Sequence, residues 1–121
     1  MSEKINLDDK FSRFSDQWRP KVIAALDRQE IKIVKVKGTF PWHRHDAEDE
    51  FFLVWKGQFR IEFCDHVVDL GPGEGALVPR QVEHRTAADD EAEILVFEPA
   101  ATRNTGNVVD ETFTAPNGVT V

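Results

Sequence analysis

The amino-acid sequence predicts an all-β sandwich or barrel, and three observations carry that prediction. From Val22 onward the chain is written as short β-rich runs separated by turn residues. Phe59, Ile61 and Phe63 alternate with Gln58, Arg60 and Glu62, a clean period of two with one face in and one face out. No segment beyond the first twenty residues sustains helical periodicity, and no repeat of fixed period is visible.

Each element follows in order. Phe11, Phe14 and Trp18 stand at helical spacing, so an N-terminal arm (residues 1–21) could carry a short helix that Pro20 stops, its aromatics filling a seam on the barrel. Val22 to Leu26 and Ile31 to Lys37 read as strands, with Lys32, Lys35 and Lys37 forming the wet face of the second. Phe51 to Trp55 is apolar throughout and is expected to be buried on both sides. After the strand at Phe59, the Cys64-Asp65-His66 turn leads into Val67 to Leu70. Gly71-Pro72-Gly73-Glu74-Gly75 forbids regular structure and marks a turn. Ala76 to Val78 and Ile94 to Glu98 supply the last strands, divided by Pro79 and an acidic loop at Asp89 to Glu91. The barrel thus occupies residues 22–100, and residues 101–121, rich in Thr, Asn, Gly and Val, form a C-terminal strap, extended or at a sheet edge and able to reach a second subunit. Phe52, Val54, Phe59, Ile61, Leu95 and Phe97 are the candidates for the barrel interior.

Composition narrows the function. The 121 residues suit one domain, and 40% hydrophobic content builds a core without disulfides. The formal net charge is −7, with 12 basic and 10 acidic residues in positions 1–60 against 3 and 12 in positions 61–121. No basic cluster is dense enough to neutralise a run of phosphates, so no nucleic-acid partner is expected. No apolar run reaches signal-peptide or membrane-spanning length, and the single Cys64 has no internal partner; the expectation is a reduced, cytoplasmic protein with no membrane association. The absence of Tyr excludes a tyrosyl acid or base.

Four residues carry the chemistry. His43 and His45 are two apart, so on a strand both imidazoles project from one face and can close on one ion. Glu50 directly precedes Phe51-Phe52-Leu53-Val54, and a carboxylate entering an apolar interior needs a compensating cation. Asp49 is the alternative ligand should Glu50 point outward. His84 arrives after Pro79, where a late strand lying beside an early one would bring it opposite the pair. Three imidazoles and a carboxylate suit one divalent transition metal (Fe, Mn, Ni, Cu, Co or Zn) and suit Ca or Mg poorly. His66, in a turn, reads as a surface histidine, and Trp42 as packing beneath the barrel or at an interface.

The string Gly38-Thr39-Phe40-Pro41-Trp42-His43-Arg44-His45, followed by Glu50 and Gly57, resembles the first signature of the cupin superfamily, and Gly73 to Pro79 with His84 resembles the second. The resemblance covers roughly residues 22–98. It implies a double-stranded β-helix, the cupin or jelly-roll barrel, usually a homodimer, with metal ligands at His43, His45, Glu50 and His84. Three departures stand out: four residues rather than five separate Gly38 from His43, Gln81 occupies a position usually held by glycine, and Ala88 one where some members have asparagine. Cupins span many reactions. The leading expectation is a mononuclear, oxygenase-like metalloenzyme acting on a small organic molecule, with Glu50 also serving as a catalytic proton acceptor. The alternatives are a non-catalytic metal- or small-ligand-binding module, and a sugar-phosphate isomerase-like enzyme, which would need a cationic pocket drawn from Arg60, Arg80 and Arg85.

Overall fold

The computed structural model describes residues 2–121. A five-residue helix, α1 (Leu7–Phe11), precedes seven strands: β1 (Lys21–Leu26), β2 (Gln29–Thr39), β3 (Glu50–Lys56), β4 (Phe59–Phe63), β5 (Val67–Leu70), β6 (Gly75–Val78) and β7 (His84–Pro99). All strand pairs are antiparallel, and the order β1-β2-β7-β3-β6 is joined by β4, which pairs both β7 and β5. The sheet does not close on itself: β1 and β6 end the ladder. Its two layers share β7, whose first residues pair with β4 and whose remainder pairs with β2 and β3. This is the jelly-roll arrangement that the cupin resemblance implies, and it meets the all-β sandwich or barrel expected from the strand pattern.

The acidic stretch Asp89 to Glu91 is not a loop. It lies inside the 16-residue β7, where Val36 pairs with Ala92 and Gly38 with Ala88, so the three acidic residues stand against Lys37 alone. An irregularity of this kind bends a strand and turns its charged side chains to water. Gly57 serves the β3–β4 turn: at φ 90° it adopts a left-handed backbone, and a Cβ there would sit 3.0 Å from the Ala92 Cα.

Parity along β2 and β7 separates two cores. Val34, Val36, Ile94 and Val96 face inward and join Phe52, Val54, Phe59 and Ile61 between the layers. Leu95 and Phe97, expected inside, lie on the opposite face with Ile33, covered by Phe11 and Phe14 of the arm. The run Ile94-Leu95-Val96-Phe97 is apolar on both faces because the arm covers the outer one. That cover is incomplete over β3, where Phe51 and Trp55 remain 37% and 38% exposed, so this strand is not buried on both sides. Lys32 shares the parity of Val34 and is 3% exposed, not part of a wet face.

The helix is shorter than the aromatic spacing suggests. Asn6 caps it by accepting the Asp9 N–H, and it ends at Ser12, before Phe14 and Trp18. Ser12, whose hydroxyl donates to the Asp9 carbonyl, and Ser15 give the following stretch little reason to continue as helix, and Trp18, at φ 63°, turns to meet Phe40. The C-terminal segment is built of turns rather than extended backbone, with one parallel bridge between Thr120 and Val22. It packs on its own barrel, burying Thr102, Thr105 and Ala115. Among the described residues, no helix is long and apolar enough to cross a membrane.

Candidate metal centre

Two kinds of backbone present the four candidate ligands. Glu50 is the first residue of β3 and His84 the first of β7, so both are set by strand pairing, Glu50 opposite Val78 and His84 opposite Phe63. His43 and His45 stand on the irregular segment between β2 and β3 rather than on a strand. His43 is drawn in by an isolated bridge: its N–H donates to the His84 carbonyl at 2.9 Å, and the His84 N–H returns the bond at 2.9 Å. The His45 carbonyl accepts the Gln81 N–H at 2.7 Å. Gln81 has φ 69°, so a glutamine keeps the left-handed backbone at the position where the family usually carries glycine.

The structure brings all four side chains together. One ligand atom from each lies within 4.8 Å of every other, and all four residues are buried. The Nδ1 atoms of His43 and His84 lie 2.8 Å and 3.0 Å from the carbonyls of Pro41 and Val82, which puts a proton on Nδ1 and leaves each Nε2 lone pair free. His45 Nε2 is 2.9 Å from Glu50 Oε1 and His84 Nε2 is 3.7 Å from it, yet none of these three buried atoms has an aligned hydrogen-bond partner. Buried polar atoms left unpaired are costly, and a cation among them would satisfy all three. The donor set fits a divalent transition metal.

The electrostatics suit metal binding. Burial, reinforced by the charge of a neighbouring His84, pushes His43 down to about 4, so its imidazole is neutral at physiological pH, the form a metal would require. Burial acts to raise the Glu50 carboxyl, but its polar contacts with Glu98, His45 and His84 outweigh that and hold it well below the usual carboxylate range. Glu98, 2% exposed, was not among the expected site residues. Burial and the adjacent Glu50 charge push its carboxyl well up, against the opposing pull of Lys32, whose Nζ is 2.7 Å from Glu98 Oε1.

A cavity of about 50 Å³ adjoins the cluster. His43, Glu50, Glu98, Thr86 and Asn104 contribute its polar lining, and Val34, Val36, Phe40, Phe52, Ile94, Val96, Trp18 and Pro20 the apolar remainder. Trp18 comes from the arm and Asn104 from the C-terminal segment, neither legible as site residues from spacing. No Lys or Arg lines it. Asp49 points away and binds Arg80, His66 pairs with Asp65 at the surface, and Trp42 lies under Arg85, whose guanidinium is 4.8 Å from the ring.

Residues 31–98 match the family model of the Cupin domain. The chain is a member of the cupin family. A cupin-2 domain protein of Shewanella frigidimarina is similar in structure to this cupin, with 43% identity and a TM-score of 0.78, over 78% of this chain and 93% of that one. Protein SchB of Streptomyces halstedii is 36% identical over 96 residues, 74% of this cupin and 69% of SchB. The uncharacterized protein YdbB of Bacillus subtilis is 32% identical over 65 residues, 53% of this cupin, and the match spans only 58% of YdbB.

Proposed function

We propose that this cupin is a mononuclear metalloenzyme, oxygenase-like, acting on a small organic molecule, with His43, His45, Glu50 and His84 as its metal ligands. The observation that carries the reading is the group of buried, unpaired donor atoms on His45, Glu50 and His84, opening beside a mainly apolar cavity. When bound, the metal supplies Lewis acidity and, if redox-active, one-electron chemistry toward O₂. The protein does the rest. The apolar walls at Val34, Phe40, Phe52 and Ile94 favour an apolar part of a substrate beside the ion over a charged one. Thr86 and Asn104 supply the neutral polar groups that can orient it. Glu50, whose Oε1 faces both His45 and His84, would accept a substrate proton through a carboxylate oxygen not engaged by the ion.

The sugar-phosphate reading finds no support in the cavity. Arg60 pairs with Glu62 and Asp89, Arg80 with Asp49, and Arg85 with Glu62, all outside the lining.

Elemental analysis of protein purified without a nickel column, beside a His43→Ala, His84→Ala double variant, tests the centre. One equivalent of transition metal in the parent and none in the variant is the expected result. O₂ uptake by the loaded parent on catechols and enols then tests the reaction. A parent that stays metal-free and refuses added metal would overturn the enzyme reading, and metal without any O₂ uptake would make this a binding module.

A further inference from the structure

The inner face of the sheet carries a row of three carboxylates, Glu30, Glu98 and Glu50, of which only Glu50 belongs to the candidate ligand set. In the β2–β7 register Glu30 stands opposite Glu98. In the β3–β7 register Phe51 pairs with Phe97 and Phe52 with Val96, so the next step brings Glu50 level with Glu98. One cation serves this row: Lys32 Nζ lies 2.7 Å from Glu98 Oε1 and 3.8 Å from Glu30 Oε1.

As a stability device the Lys32–Glu98 pair is poor. Both residues are almost fully buried, and taking them out of water offsets most of what their contact supplies, so a well-packed apolar pair would hold the sheet as well. Its position suggests another use. Lys32 fixes one Glu98 oxygen, while the other, Oε2, is buried without an aligned partner on the same inner face as Glu50, the two residues lining one cavity. A terminal carboxylate torsion is broad and needs an external contact to settle it, and ligating carboxylates are generally held by groups outside the ligand set.

We propose that Glu98, anchored by Lys32, is a positioning residue for Glu50: it holds that carboxylate with Oε1 turned toward His45 and His84. The inference rests on the metal-centre reading and extends it to two residues outside the ligand set. Lys32 orients Glu98, Glu98 orients Glu50, and Glu50 meets the ion. Because the three residues sit on adjacent strands β2, β7 and β3, ladder pairing transmits the arrangement without any loop.

Cobalt(II) titration of the metal-free protein, read by affinity and by the visible absorption bands, tests it. A Lys32→Met, Glu98→Leu double variant removes the pair without stranding a buried charge; circular dichroism checks its fold. Its cobalt affinity is expected to fall about 10- to 100-fold with shifted bands. Glu98→Gln, which keeps a polar group beside Glu50, is expected to restore the affinity to within a few-fold of the parent and to restore the spectrum. A folded double variant with the parent's affinity and spectrum would overturn the role of Glu98 and leave the metal centre standing. A parent that binds no cobalt would overturn the metal centre and this inference with it.

Discussion

The two halves of the candidate ligand set are held by different means. Glu50 and His84 open strands, and each is fixed by a ladder that continues for several residues beyond it. His43 and His45 ride on irregular backbone held by a few single contacts: the bridge to His84, the Gln81 N–H on His45, and the C-terminal segment. Asn107 of that segment brackets Arg44 between the two histidines, accepting the Arg44 N–H at 2.8 Å and donating its own N–H to the Arg44 carbonyl at 2.9 Å. Ladder-held ligands resist perturbation at any one point, whereas the His43–His45 segment inherits the stability of whatever leans on it.

The largest effect that separates the halves is expected from pH. His43 is depressed to about 4 from an ordinary value of 6.5, so between these values the unfolded chain binds a proton that the folded, metal-free protein refuses. The stability that His43 contributes is therefore full above pH 6.5 and is lost as pH drops toward 4, on the order of 3 kcal/mol. Urea unfolding of metal-free protein across pH 4–7 checks this, and His43→Gln is expected to flatten part of the slope. An unchanged slope in that variant would place the sensitivity elsewhere.

Gly106 gives the next effect. It sits at φ 57°, and a Cβ there would fall on the Arg44 carbonyl oxygen, with the His43 ring 3.1 Å away. Gly106→Ala is expected to cost about 1–3 kcal/mol through backbone strain and to weaken metal binding through His43. Gly57→Ala, strained against Ala92 on the ladder side, should cost a similar amount in denaturant midpoint with metal affinity retained. Equal losses of affinity in both variants would erase the distinction.

The smallest effect is expected at Gln81. Replacing it with glycine relieves a left-handed backbone but loosens the unfolded chain, so the midpoint should move by less than about 1 kcal/mol, with the Gln81–His45 contact and metal content intact.

The four candidate ligands were legible because their spacing matches the cupin signatures, and the fold brings them to one point although His43 and His45 stand on irregular backbone rather than on the strand that the two-residue spacing suggests. Glu98 and Lys32 were not, because Lys32, Lys35 and Lys37 look like one stripe although Lys32 has the parity of Val34. Strict alternation along β2 was the available signal. On β7 no such signal exists, since Ile94 to Phe97 is apolar on both faces and only the packing of Phe11 tells which is outer. Trp18 and Asn104 reach the cavity through tertiary packing of irregular segments, which leaves no periodic trace.

The shared strand β7 has a consequence for how the molecule is made. It is the last strand in the chain, and it pairs with β2, β3 and β4 alike. A nascent chain on the ribosome can form hairpins such as β1–β2 and β4–β5, but neither layer is completed until residues 84–99 have emerged. Until then the inner apolar residues of β2 and β3 stand uncovered, so long-range pairing to β7 must precede a packed core, and those strands depend on whatever shields them meanwhile.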